Sequence, residues 1–171
     1  AQIGNGGYSI KPKIIVNNDP LNFIEAKKNM EEQYLINSNS QLFKDKKNIK
    51  IIQQAMFSST NEIGGTSYRS RIDNPKYQFA GKTGTAQVKR ISKRERELDL
   101  KIDQIPYKNR DHALYVAYGP YKNPRYAVSI IVEHGGSGSK AAAPMAKKLF
   151  KLIIDRDKLR EKQPNFEEIS I

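Results

Sequence analysis

Two short apolar segments in the second half of the chain restrict its fold more than any other feature. Residues 113–118 read Ala-Leu-Tyr-Val-Ala-Tyr, and residues 126–133 read Tyr-Ala-Val-Ser-Ile-Ile-Val-Glu. β-Branched and aromatic residues crowd both, and Val128, Ile130 and Val132 alternate along the second. Such residues suit a pleated, half-buried surface. Gly119-Pro120 and Asn123-Pro124 lie between them and break any strand there. The pattern predicts a β-hairpin with a longer loop.

A third strand is predicted over residues 77–88, with glycines at 81 and 84. Helices are expected on either side of the sheet. In the first, Asn48 stands as a cap, and Ile49, Ile52, Gln53, Met56 and Phe57 follow at helical spacing before Gly64-Gly65. The last runs over 141–155, with Met145, Leu149, Leu152 and Ile153 on the inner face and lysines outside. Residues 8–16, interrupted by Pro12, read as a short edge strand, and 17–47 as a polar excursion. Residues 89–110 are a mixed-charge run that reads as a solvated, mobile loop, with a short surface helix available to Lys93–Glu97. A charged, frayed tail is expected from Arg156. The fold class is therefore α+β, an antiparallel sheet flanked by helices.

Composition removes several classes of function. The chain has no cysteine, so a disulfide framework and a zinc–thiolate centre are excluded. Its two histidines, His112 and His134, argue against a histidine-rich metal site. No apolar run approaches the roughly 20 residues of a membrane span. The net charge of +12 suits an anionic partner. No aromatic-rich basic stripe offers bases a stacking platform, however, so nucleic acid is not the expected partner. A basic, non-enzymatic binding module stays open as an alternative.

Three local patterns invite a chemical reading. Gly136-Ser137-Gly138-Ser139-Lys140-Ala141 imitates a phosphate loop but fails the full motif, and no second strand follows to complete a dinucleotide fold. The same stretch contains a literal Ser137-x-x-Lys140, but glycines flank the serine and it precedes the helix. Ser59-Thr60-Asn61 is a literal Ser-x-Asn at a helix end, where capping or a turn explains it.

Gly81-Lys82-Thr83-Gly84-Thr85-Ala86-Gln87-Val88 is more informative. Its glycines leave backbone groups on a strand open to an extended ligand. Lys82 adds positive charge, and Thr83 and Thr85, two apart, put two hydroxyls on one face. Such an edge suits a peptide that ends in a carboxylate.

This stretch resembles the Lys-Ser/Thr-Gly box of the penicillin-binding proteins, in the Gly-Thr-Ala-Gln form of the class B transpeptidases. Residues 110–124 and 126–138 resemble the strands and turn that follow that box in the penicillin-binding protein 2 type, which serves cell elongation. Ile3–Gly7 with Lys11-Pro12, and Gln53–Met56 with Gly65-Thr66, fit as well. The resemblance implies an incomplete β-lactamase/transpeptidase-like fold, with residues 1–155 forming the C-terminal part of a transpeptidase domain and 156–171 a tail.

It also implies a peptidoglycan D,D-transpeptidase that works through an acyl-serine and binds β-lactams. Lys82 would be a catalytic residue, the Thr85 backbone N–H an oxyanion donor, and Thr83, Gly84 and Thr85 the substrate contacts. Stem peptides, β-lactams and the cell-elongation machinery are the implied partners, with no cofactor and no metal. The implied location is the periplasmic face of the inner membrane, reached through an N-terminal anchor outside this chain. The family's Ser-x-x-Lys and Ser-x-Asn boxes precede its Lys-Thr-Gly box, and neither stands at that place here. The nucleophile is thus expected outside this chain, and the fragment alone is expected to be inactive. The residues at Ala1–Gly7 read as the end of a glycine-stopped helix, as in a chain that begins inside a larger domain. An inactive scaffold paralogue and, less readily, a serine β-lactamase are the remaining alternatives.

Overall fold

The structure is a computed structural model that describes residues 1–7, 45–90 and 100–161. The expected strand over 8–16, most of the excursion over 17–47 and the short helix at 93–97 lie outside the described residues. The chain divides into two compact units, Ala1–Ala55 and Met56–Ile171.

In the first unit, Ala1–Gly7 forms a turn closed by the Gly7 N–H on the Gln2 carbonyl at 2.7 Å. Gly6 and Gly7 have φ of 87° and 96°, the left-handed conformation that glycine adopts without cost. The Gln53 side-chain amide donates to the Ile3 carbonyl at 2.6 Å. Helix α1 spans Lys46–Asn61, so it starts before the expected Asn48 cap. The reason is Asp45, whose carboxylate accepts the Lys47 N–H at 2.8 Å and sits at the positive end of the helix dipole.

The second unit holds the sheet. Strands β1 (Ala80–Ala86), β2 (His112–Gly119) and β3 (Tyr126–Val132) pair antiparallel in the order β1-β2-β3. Ala80 faces Tyr118 and Ala86 faces His112, while Ala113 faces Val132 and Gly119 faces Tyr126. The hairpin read from the sequence is β2–β3, with a cis Gly119–Pro120 peptide at its turn.

A π-helical turn, Gly138–Ala142, leads into helix α2, Ala143–Glu161. The core lies between α2 and one face of the sheet. It gathers Phe79, Ala113, Tyr115, Ala117, Ala142, Ala143, Ala146, Phe150 and Ile154, with Phe79 stacked on Phe150 at 4.8 Å between ring centres. The inner face of α2 is thus not the one expected. Met145, Leu149 and Leu152 are exposed, and the alanines at 143 and 146 face the sheet instead. Small side chains there let the helix approach the strands closely, and Phe150 fills the gap beyond them.

Helix α2 also outlasts its expected end at 155. The Tyr77 hydroxyl bonds Asp155, and both the Tyr126 hydroxyl and Arg125 bond Asp157, the latter at 3.3 Å. These ties hold a turn that composition alone reads as tail. The second half of the charged segment 89–110 also carries local structure, in the 3-10 turns Ile102–Gln104 and Tyr107–Asn109.

Candidate active site

The site is organised around β1. Gly64, at φ 88°, turns the chain sharply after α1. A Cβ on Gly65 would lie only 2.5 Å from the Ser58 carbonyl oxygen, so glycine lets the chain fold back over the helix end. Ser67 then seals the fold-back, with its N–H and its hydroxyl each 3.0 Å from the Ser59 carbonyl. Residues 59 and 66 thereby meet beside β1.

Thr60 fixes one end of that strand. Its hydroxyl is fully buried. It lies 3.1 Å from the Gly81 nitrogen, whose hydrogen it accepts, and 3.3 Å from the Gly81 carbonyl. It also lies 2.8 Å from the Tyr115 hydroxyl, which in turn sits 3.2 Å from the Ser67 hydroxyl. Burial pushes the Tyr115 phenol above its ordinary pKa, while the Ser67 and Thr60 hydrogen bonds oppose that shift. Asn61 adds a second tie, donating to the carbonyls of Phe57 and Phe79 at 3.1 and 2.9 Å.

These bonds set which way the strand faces. Neighbouring residues of a strand point their backbone groups to opposite edges. Both polar groups of Gly81 point away from β2, towards Thr60. By the same alternation those of Thr83 and Thr85 point away from β2 as well. Among the described residues no strand pairs with that edge.

The expectation that both glycines expose the strand therefore needs correction at Gly81. Its backbone groups are taken by Thr60, and its missing side chain makes room for Tyr115. The free edge begins at Thr83.

Lys82 is exposed, and its ammonium turns back along the strand to donate to the Thr83 carbonyl at 3.0 Å and the Thr83 hydroxyl at 3.3 Å. The Thr83 hydroxyl donates to Thr66 Oγ1 at 3.2 Å, and Thr66 Oγ1 lies 3.0 Å from Ser59 Oγ. Thr85 is exposed and Gly84 half-buried. The four residues together present a cation, two hydroxyls and an outward-facing stretch of backbone.

The other literal motifs have structural work. The Ser137 hydroxyl pairs with Ser139 at 3.0 Å, and Ser137 meets Lys140 through the backbone, the Lys140 N–H donating to the Ser137 carbonyl at 3.1 Å. A Cβ on Gly138 would fall 2.5 Å from the Leu114 carbonyl oxygen and 2.7 Å from that of Gly84. The turn thus rests on acceptors, where a phosphate loop needs converging donors. His134, at φ 55°, donates its N–H to His112 Nδ1 at 3.0 Å. No group of three or more His, Cys, Asp or Glu among the described residues is arranged to hold a metal ion. No described helix is long and apolar enough to cross a membrane.

A cavity of about 960 Å³ opens between residues 100–111 and 135–141. Leu100, Ile102, Ile105 and Pro106 give it an apolar side, and Lys89, Lys101, Arg110 and Lys140 outnumber Asp103 and Asp111 around it.

Sequence reading missed the hydroxyl cluster of Ser59, Thr60, Thr66, Ser67 and Tyr115. Four of its five members lie within nine residues around Gly64-Gly65, a density that marks the place. Only the fold brings in Tyr115.

The penicillin binding protein transpeptidase domain matches residues 1–151, and the chain belongs to that family. Its likeness within the family is to the PBP2, or MrdA, type. Peptidoglycan D,D-transpeptidase MrdA of Salmonella typhimurium strain SL1344 is 38% identical over 105 residues, which are 61% of this chain and 16% of that protein. Pseudomonas aeruginosa PBP2, solved in complex with WCK 5153, superposes with a TM-score of 0.56 at 26% identity, over 89% of this chain and 28% of the other. Helicobacter pylori PBP2, solved in complex with MreC, superposes with a TM-score of 0.53 at 31% identity, over 66% of this chain and 18% of the other. The chain thus spans a small part of the length of the relatives it matches.

Proposed function

We propose that this chain forms one wall of the active site of a peptidoglycan D,D-transpeptidase. A serine contributed from outside the chain attacks the penultimate D-alanine carbonyl of a stem peptide, and the terminal D-alanine leaves. An amine from a neighbouring stem then resolves the acyl-enzyme and completes the crosslink. β-Lactams acylate the same serine.

The observation that carries this reading is the outward-facing edge at Thr83 and Thr85 beside the Lys82 ammonium. An extended peptide lies along such an edge. Lys82 supplies positive potential, and the Thr83 and Thr85 hydroxyls hold the ligand's carboxylate. The Thr85 N–H donates to the developing oxyanion, a contribution whose loss typically slows acyl transfer about 10²–10³-fold. Residues 1–155 belong to the C-terminal part of the transpeptidase domain. The whole protein acts at the periplasmic face of the inner membrane, held there by an anchor outside this chain. Its partner belongs to the cell-elongation machinery, a reading supported by the Helicobacter pylori complex of PBP2 with MreC.

A fluorescent penicillin tests the reading on the full-length protein. Covalent labelling is expected, and Lys82→Gln should slow it by about 10² or more. Labelling that is indifferent to Lys82→Gln would remove this strand from the site.

A further inference from the structure

We infer that Thr66 and Ser59 form a reversible hydroxyl relay behind Thr83, and that they position the Thr83 hydroxyl for the anionic end of the ligand. The inference rests on the carboxylate-binding role proposed above for this strand.

Four groups stand in line. Lys82 Nζ is 3.3 Å from Thr83 Oγ1, Thr83 Oγ1 is 3.2 Å from Thr66 Oγ1, and Thr66 Oγ1 is 3.0 Å from Ser59 Oγ. Lys82 donates to Thr83, and Thr83 donates to Thr66. The Thr83 proton is therefore directed towards Thr66, away from the open edge.

A carboxylate only accepts hydrogen bonds. To hold one, Thr83 must swing its proton off Thr66 and towards the ligand. Thr66 has a proton of its own and Ser59 has another, so each can turn to fill the place left by its neighbour. The donor direction then runs from Ser59 through Thr66 and Thr83 to the ligand. Only hydroxyl hydrogens rotate; no heavy atom moves and no charge is created. A hydroxyl that accepts one hydrogen bond donates a stronger one, so Thr83 bonds an anion better with Thr66 behind it.

The backbone around Thr66 is built for this role. Thr66 itself is exposed, yet the Gly64-Gly65 turn and the two Ser67 bonds to the Ser59 carbonyl hold it in place from both sides. These restraints are made by its neighbours, so removing the Thr66 hydroxyl leaves them intact.

The relay acts on anionic ligands alone, which separates it from a structural role. The test measures second-order acylation of the full-length protein by benzylpenicillin and by its methyl ester. In Thr66→Val, benzylpenicillin should react about tenfold more slowly while the ester changes by less than about twofold. Thr66→Ser restores the hydroxyl and should return benzylpenicillin to within about twofold of the unsubstituted rate. Unchanged benzylpenicillin acylation in Thr66→Val, or equal slowing of acid and ester, overturns the relay. Failure of the unsubstituted protein to acylate at all overturns the proposed function itself, and the relay with it.

Discussion

The hydroxyl of Tyr115 occupies the space that a side chain on residue 81 would take. A Cβ on Gly81 would overlap that oxygen and lie 2.5 Å from Cζ. Tyr115 is fully buried, so it has nowhere to retreat. Gly81→Ala should cost about 1–3 kcal/mol in chemical denaturation, the usual penalty of overpacking a core. At Gly84 the nearest atom to a new Cβ is Leu114 Cβ at 3.3 Å. Gly84→Ala should therefore cost less than about 1 kcal/mol. Equal costs at the two positions would show that the strand is not wedged by Tyr115.

Thr60 joins the helix end to the strand through one buried hydroxyl. Thr60→Val keeps the shape and leaves the Gly81 N–H and the Tyr115 hydroxyl short of a partner. A loss of about 1–3 kcal/mol is expected by urea denaturation, with Thr60→Ser within about 1 kcal/mol of the original. Matching losses in the two variants would mean that methyl packing, rather than the hydroxyl, holds this junction.

Tyr115 and Tyr118 both make the fold sensitive to alkali. Burial raises the pKa of each, aided at Tyr118 by the nearby Tyr121. Below the ordinary tyrosine value of about 10, neither the folded nor the unfolded chain loses these protons. Above it, the unfolded chain ionises while the folded one resists. Stability is therefore fully present below about pH 10 and falls as pH rises through the raised folded values. The Tyr118 hydroxyl is buried and finds no partner among the described residues, so Tyr118→Phe should be close to neutral at pH 7. The same variant should flatten the decline above pH 10 in urea titrations at stepped pH. A decline as steep as in the unsubstituted protein would contradict this.

Ile102 and Gly136 lock the segment 100–111 onto the turn after β3. Gly136 has φ 74°, and a Cβ there would fall within the Ile102 side chain. The Gly136 N–H also donates to the Asp111 carbonyl at 2.8 Å. Gly136→Ala should cost about 1–3 kcal/mol from backbone strain and overlap together. Adding Ile102→Ala should recover part of that cost, giving a favourable coupling of at least about 0.5 kcal/mol in a double-mutant cycle. Strict additivity would mean that the two residues do not meet.

The strands were legible because their signal is local. Alternation at Val128, Ile130 and Val132 and the turn residues at 119–124 specify the hairpin without reference to anything distant. The inner face of α2 was not legible by the same logic. Hydrophobicity favoured Met145, Leu149 and Leu152, but close packing on a sheet selected Ala143 and Ala146, and an alanine carries little signal of its own. The strand bearing Lys82, Thr83 and Thr85 stood out as a motif. Its direction did not, because only the distant Thr60 shows which edge Gly81 faces. The role of Gly81 was misread for a related reason. A glycine in sequence marks a missing side chain, and only the fold tells whether a ligand or a neighbour such as Tyr115 fills the space.

Lys82–Thr85 is proposed above as one wall of an acylation site whose nucleophile lies elsewhere. Intact-mass measurement after incubation with benzylpenicillin, followed by peptide mapping, tests it most directly. The full-length protein should gain a single adduct on a serine outside these 171 residues, and the 171-residue chain alone should gain none. An adduct on Ser137, Ser59 or any other serine of this chain would contradict the account.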